Sequence, residues 1–235
     1  MPDKVAIAVL GDWNPENPTH KTISTSLDHA IPGRVEAIWI ASEKISSTDL
    51  SRFDGVFCAP QSPYRDMEGI LAGICYAREN DVPFFGTCAG FQHSIIEIAR
   101  NLLNYKDATS AEYDSSGSHL FVSRLACSLV GKRMEVQFTA GSLAESLYGV
   151  PASMEDYYCN FGLNPDYIPE LESVGARITG VDQDGEARIM ELPDRRFHVT
   201  TLFVPQTNSA PGRPHPLIAG FARAAGERKF RAQTP

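Results

Sequence analysis

Pro83-Phe84-Phe85-Gly86-Thr87-Cys88-Ala89-Gly90-Phe91-Gln92 is an apolar run, a cysteine set among small residues, and the start of a helical stretch. Such a strand–turn–helix reverses sharply, and Gly86, Ala89 and Gly90 supply the small neighbours the reversal needs. A side chain on so tight a turn has no room to pack inward, so Cys88 is expected to point out of the sheet as a nucleophile. The following helix aims its first N–H groups and the positive end of its dipole at that sulfur. Both favour an anion formed there. The turn also lies at the carboxyl end of a strand, where open α/β sheets bind ligands. The competing reading is a buried cysteine in a glycine-containing turn.

Upstream, residues 5–10, 35–41 and 53–59 are short, nearly continuous apolar runs, the pattern of strands buried on both faces. Helical segments are expected over 20–30, 67–80 and about 90–103; in the second, Ile70, Leu71, Ile74 and Cys75 share one face. Strand alternating with helix implies right-handed βαβ units and a parallel sheet. Downstream, strands are expected over 120–122, 134–138, 174–181, 187–192 and 198–204, with a closing helix over 216–225. Asp182-Gln183-Asp184-Gly185 reads as a hairpin turn between two of them. There is no internal repeat, low-complexity tract or linker, and Pro211-Gly212-Arg213-Pro214 is too short to separate domains. The expectation is one α/β domain over residues 1–235, its central sheet mostly parallel with antiparallel additions in the C-terminal half.

The 235 residues include 43% hydrophobic and 21% charged side chains, ordinary for a globular protein that buries one large core. A net charge of −8 argues against nucleic acid or an anionic membrane as partner, since both would repel it. No apolar run approaches bilayer length, and the start enters a strand without the features of a signal peptide, so a cytoplasmic location is expected. The five cysteines, Cys58, Cys75, Cys88, Cys127 and Cys159, show no zinc spacing. They are expected to be free thiols, all but Cys88 acting as small hydrophobes. Neither metal nor cofactor is expected.

Residues 77–80 (Ala-Arg-Glu-Asn), 86–92 and 96–101 (Ile-Glu-Ile-Ala-Arg-Asn) resemble the nucleophile region of the class I glutamine amidotransferase domain of CTP synthase. The resemblance continues to Ala111-Glu112-Tyr113 and returns at Gly180-Val181-Asp182, Glu191-Leu192-Pro193 and residues 214–221. It implies a flavodoxin-like three-layer fold, a Cys-His-Glu triad, a backbone oxyanion hole and a glutamine pocket. Carried over position by position, Cys88 is the nucleophile, Ala89 offers an oxyanion N–H, Gln92 lines the pocket, and Glu112 receives a substrate amino group.

Other positions depart from the family. Its Phe-His-Pro-Glu is here Phe203-Val204-Pro205-Gln206. Val204 cannot accept a proton and Gln206 carries no charge, so the usual relay is absent. An arginine that would grip the glutamine carboxylate falls on Tyr158, beside Cys159. The glycine pair of the oxyanion loop falls on Gln61-Ser62, so that loop is expected to take a different path or offer different donors. His20 is a candidate replacement base, against a solvent-facing reading; His93 and His215 are expected to be structural, and His198 to share a strand face with Val204. A disulfide-type partnership of Cys159 with Cys88 stands beside the plainer reading of a packed thiol. The family's N-terminal ATP- and UTP-binding domain is not in this sequence, so the chain alone is not expected to make CTP.

Three functions follow. The first is a cysteine-dependent enzyme acting on a small amide-, amidine- or ester-like substrate, with an amino group for Glu112. The second is a catalytically silent binding or regulatory module. The third is a glutaminase delivering ammonia to a separate synthetase. Whether the chain works as a homodimer or with a partner enzyme stays open.

Overall fold

The computed structural model describes residues 4–233. In chain order the elements are β1 (Val5–Leu10), α1 (Pro18–Ala30), β2 (Val35–Ile40), β3 (Gly55–Cys58), α2 (Met67–Glu79), β4 (Phe84–Thr87) and α3 (Ala89–Asn101). Then follow β5 (Thr109–Ser110), β6 (Leu120–Arg124), β7 (Lys132–Phe138), α4 (Leu143–Tyr148), β8 (Ala152–Tyr157), β9 (Phe161–Leu163) and α5 (Ile168–Ser173). The chain closes with β10 (Arg177–Val181), β11 (Ala187–Glu191), β12 (His198–Thr201) and α6 (Pro216–Gln233).

Alternation along β1 shows why the early strands are apolar throughout. Ile7 and Val9 enter one apolar cluster while Ala8 and Leu10 enter another, so both faces are covered. Helices α1 and α6 pack together on one face, and α2 and α3 on the other. Asn17 caps α1 by accepting from Thr19 N, and Asp66 caps α2 by accepting from Gly69 N. A buried ion pair ties α2 to α3, with Arg78 Nη2 2.7 Å from Glu97 Oε1.

One sheet runs β2-β1-β3-β4-β12-β11-β10-β7-β8, and a small sheet β5-β6-β9 packs through β6 and β9 against α3. From β2 to β12 the pairings are parallel; from β12 to β8 they are antiparallel. β10 and β11 form the expected hairpin, with Gly185 in the left-handed region (φ 79°). β4 sits between β3 and β12, and Cys88 N extends its ladder by donating to Thr201 O at 2.8 Å. The elbow therefore stands over the carboxyl ends of the parallel strands.

Some elements differ from expectation. β2 is a half-buried edge strand, because only β1 lies beside it. β12 stops at Thr201; Val204, which precedes Pro205, instead starts a short 3-10 turn and donates its N–H to Asp156 O. His198 and Val204 thus share no strand. Strands β5, β8 and β9 and helices α4 and α5 are short and carry polar residues, so periodicity did not announce them. Among the described residues no helix is long and apolar enough to cross a membrane.

The elbow depends on two missing methyl groups. A Cβ at Gly90 would stand 2.6 Å from the Cys58 carbonyl oxygen, and one at Gly86 2.9 Å from the carbonyl carbon of Gly90. Gly90→Ala is expected to lower the unfolding free energy by about 1–3 kcal/mol, read as a shift in urea midpoint. A wild-type midpoint would mean that α3 can slide away from β3 at no cost.

Two histidines give the fold a pH dependence. Burial pushes His93 down to about 4 and His198 down to about 3. Both stay neutral in the folded chain but take up protons in the unfolded chain below about pH 6.5. Stability is therefore complete above that pH and falls as pH drops from 6.5 toward 4, by up to about 1.4 kcal/mol per unit for each group. Urea midpoints over that range should show the fall, and His198→Leu should flatten it.

Candidate functional site

Cys88 adopts φ 52° and ψ −103°, a left-handed conformation that costs a non-glycine residue about 1–3 kcal/mol. Its carbonyl accepts from Gln92 N as α3 begins, and its side chain is 7% exposed. It faces a cavity of about 350 Å³ whose wall includes Gln61, Ser62, Gln92, Glu112, Tyr158 and Cys159. Residues from separate stretches of the chain thus meet at one sulfur. Ala89, fully buried, opens α3, and its N–H is one of the first-turn amides that have no intrahelical carbonyl.

Two acceptors in this cavity lack a protein donor. Gln92 Nε2 donates to Phe161 O at 2.8 Å, leaving Gln92 Oε1 buried and unpartnered. Glu112 Oε2 is likewise buried without a donor. Leaving such groups unmet costs about 1–3 kcal/mol each, so the cavity favours a ligand rich in N–H, an ammonium above all. Tyr158, 42% exposed, stands at the rim.

The loop from Ala59 to Tyr64 keeps a glycine-type backbone without a glycine. Gln61 sits at φ 84°, a left-handed conformation that glycine adopts more readily. Side-chain bonds hold the loop there. Asn17 Nδ2 donates to Gln61 Oε1 at 2.8 Å, and the Tyr64 hydroxyl donates to Ala59 O. Tyr64 N donates to the Tyr113 hydroxyl, which donates to His93 Nε2 at 3.0 Å, while His93 Nδ1–H donates to Ala89 O at 2.7 Å. The loop is thereby tied to the first residue of the elbow helix. His93 is a packed structural group, as expected.

None of the six histidines lines the cavity. His20 is fully buried against Trp13 and Trp39, which overturns both the base and the solvent-facing readings. Its Nε2–H donates to Pro60 O at 2.8 Å and its Nδ1 accepts from Asn14 N at 3.1 Å, so neither nitrogen is free. Burial also lowers its pKa. His215 bonds Glu155 Oε1 at 3.1 Å and the Tyr148 hydroxyl at 3.1 Å, a buried cluster apart from Cys88. Val204 is fully buried in the core, and Gln206 Nε2 reaches Thr87 Oγ1 at 3.4 Å. The described residues contain no group of three His, Cys, Asp or Glu that could hold a metal ion.

The cysteines sort by environment. Cys58 is buried and pushed up to about 12 by that burial. Cys127 is exposed and Cys75 half-buried, a correction to their expected packing as small hydrophobes. Cys159 is buried beside Cys88, its Sγ donating to Leu202 O at 3.1 Å. Asn17, Asn160 and Phe161 also wall the cavity and were not singled out from sequence. Only Asn17 left a signal, as an Asn before Pro at a helix start.

A family model described as glutamine amidotransferase class-I matches residues 23–223. The CTP synthase of Pyrococcus furiosus is 35% identical over 246 residues, covering 97% of this chain and 46% of that protein. The CTP synthase of Thermococcus gammatolerans is 34% identical over 244 residues with the same coverage. The chain thus spans about half the length of the curated relatives it matches. Among solved structures, the glutaminase domain of Trypanosoma brucei CTPS with bound acivicin matches with a TM-score of 0.88 at 24% identity, covering 95% of this chain and 94% of that one. A glutamine amidotransferase from Thermotoga maritima gives 0.59 at 11%, covering 95% and 97%. These likenesses show the fold.

The tie from Tyr64 to Ala89 is open to measurement. Tyr113→Phe leaves Tyr64 N and His93 Nε2 without their partner, and is expected to cost about 1–3 kcal/mol. Amide exchange at Tyr64 should accelerate in the variant; unchanged protection there would show that the loop is held by other contacts.

Proposed function

The chain belongs to the class I glutamine amidotransferase family, and within it we propose a cysteine-dependent enzyme for a small, amine-bearing amide-, amidine- or ester-like metabolite. The observation that carries this reading is the pairing, in one cavity, of the Cys88 elbow with two donor-less acceptors, Glu112 Oε2 and Gln92 Oε1. The acceptors seat the amino group and orient the carbonyl toward Cys88. Sγ attacks, and the oxygen of the tetrahedral adduct takes the Ala89 N–H at the positive end of α3. The departing amine carries away the thiol proton, and water releases the acyl group.

Ordinary glutamine hydrolysis is disfavoured by the same site. With Val204 and Gln206 in place of the family's base and carboxylate, no imidazole shuttles the proton, a role worth about 10²–10⁴ in rate. Tyr158 offers no guanidinium for a carboxylate. Similarity to CTP synthases keeps a second reading in play, ammonia supply from glutamine to a separate synthetase.

Ammonia release across a panel of amine-bearing amides, amidines and glutamine separates the readings. Turnover is expected for a panel member other than glutamine, lost in Cys88→Ala. Glu112→Gln should raise its KM by about tenfold, the worth of one charge-assisted hydrogen bond. Glutamine as the best substrate would establish the ammonia-supply reading instead. Binding without turnover by any compound would leave a silent binding module.

A further inference from the structure

The second thiol of the cavity, Cys159, has no role in the amide-type reaction. Cys88 and Cys159 wall the same space, from the β4–α3 elbow and from the turn between β8 and β9. Both are buried, and the bond from Cys159 Sγ to Leu202 O fixes that sulfur beside its neighbour. Cys88 N is bonded to Thr201 O, the residue next to Leu202, so the end of β12 and the residue after it anchor both cysteines. None of the six histidines lines this space; besides Cys88, its ionisable side chains are Glu112, Tyr158 and a second thiol, Cys159.

We propose that Cys88 and Cys159 form a reactive dithiol pair that reduces a low-molecular-weight disulfide carrying an amino group. The amino group takes Glu112 Oε2 and Gln92 Oε1, the two unpartnered acceptors of the cavity. Cys88 Sγ attacks one sulfur of R–S–S–R, forming Cys88–S–S–R and releasing the first RS⁻, which takes up the Cys88 proton. Cys159 Sγ then attacks Cys88 Sγ, displacing the second RS⁻, which leaves with the Cys159 proton. One disulfide becomes two thiols, and two protein thiols become the Cys88–Cys159 disulfide. Two equivalents of a small thiol restore the dithiol.

The order of attack follows from the surroundings. Burial, and after it the contact with Cys88, push the Cys159 thiol well up, so Cys159 keeps its proton while Cys88 attacks. Cys88 stands on the strained turn at a helix start, the placement that exposes a nucleophile. The other buried thiol, Cys58, does not wall this cavity.

The inference shares the Cys88 cavity with the amide-type reaction, yet its readout is independent of ammonia release. The reduced full chain, carrying Cys75→Ser and Cys127→Ser so that no solvent-reachable thiol outside the cavity exchanges, is mixed with cystamine, or with hydroxyethyl disulfide, the neutral analogue in which a hydroxyl replaces each amino group. Remaining thiols are alkylated and the peptides weighed. The expected result with cystamine is two small thiols released per chain and a Cys88–Cys159 linked peptide, formed about tenfold faster than with hydroxyethyl disulfide. Glu112→Gln should remove that preference. Cys159→Ser should release one small thiol and stop at the Cys88 mixed disulfide, and Cys88→Ser should release none. Release of a single thiol by the chain that keeps both cavity cysteines, a linked peptide through any other cysteine, or equal rates with the two disulfides would overturn the proposal.

Discussion

The approach of Gly90 to the carbonyl of Cys58 is the contact on which the site depends. With no side chain at Gly90, α3 can begin directly above the end of β3, and the chain can reverse between β4 and α3 within one residue. That residue is Cys88, pushed into a left-handed conformation and held by its N–H bond to Thr201. Strain of this kind persists only where surrounding contacts over-determine the backbone. Here they come from strands on both sides of β4.

The cavity above the elbow combines acceptors and thiols. Its imidazole-free floor follows from where the aromatic side chains pack. Trp13 and Trp39 enclose His20, Tyr113 and the Ala89 carbonyl occupy both nitrogens of His93, and Glu155 with Tyr148 holds His215 elsewhere. The positions that carry base and carboxylate in the family are filled by Val204 in the core and Gln206 beneath Thr87. Charge at this site is therefore confined to Glu112, the thiols and whatever a ligand brings. A carboxylate beside thiols in one cavity attracts cationic groups more than anionic ones.

Much of this was readable in the residues. Continuous apolar runs announced the parallel half of the sheet, because strands covered on both faces have no polar alternation to confuse them. The small residues around Cys88 announced the elbow, and the resemblance assigned Gln92, Glu112, Gln61, Ser62, Tyr158 and Cys159 to one pocket, where all six wall the Cys88 cavity. What stayed hidden was set by tertiary contact. His20 looked accessible because nothing local records that two tryptophans, one of them on β2, close over it. β8 was missed because its polar Ser153, Glu155 and Asp156 belong to an edge strand whose only partner is β7. The left-handed turn at Gln61 left no local sign, since the side chains of Asn17 and Tyr113 that hold its loop lie far away in sequence.

The bond from Cys88 N to Thr201 O joins the middle of the chain to its last strand. β4 finds β3 early, but its other neighbour, β12, arrives only after every intervening strand has been synthesised. Contacts of such long sequence separation form slowly, since loop closure must be completed before they contribute. The nascent chain thus carries an unshaped Cys88 until β12 has been synthesised and has docked. The elbow is completed only then, as β12 brings the Thr201 carbonyl to Cys88 N and the adjoining Leu202 carbonyl to Cys159.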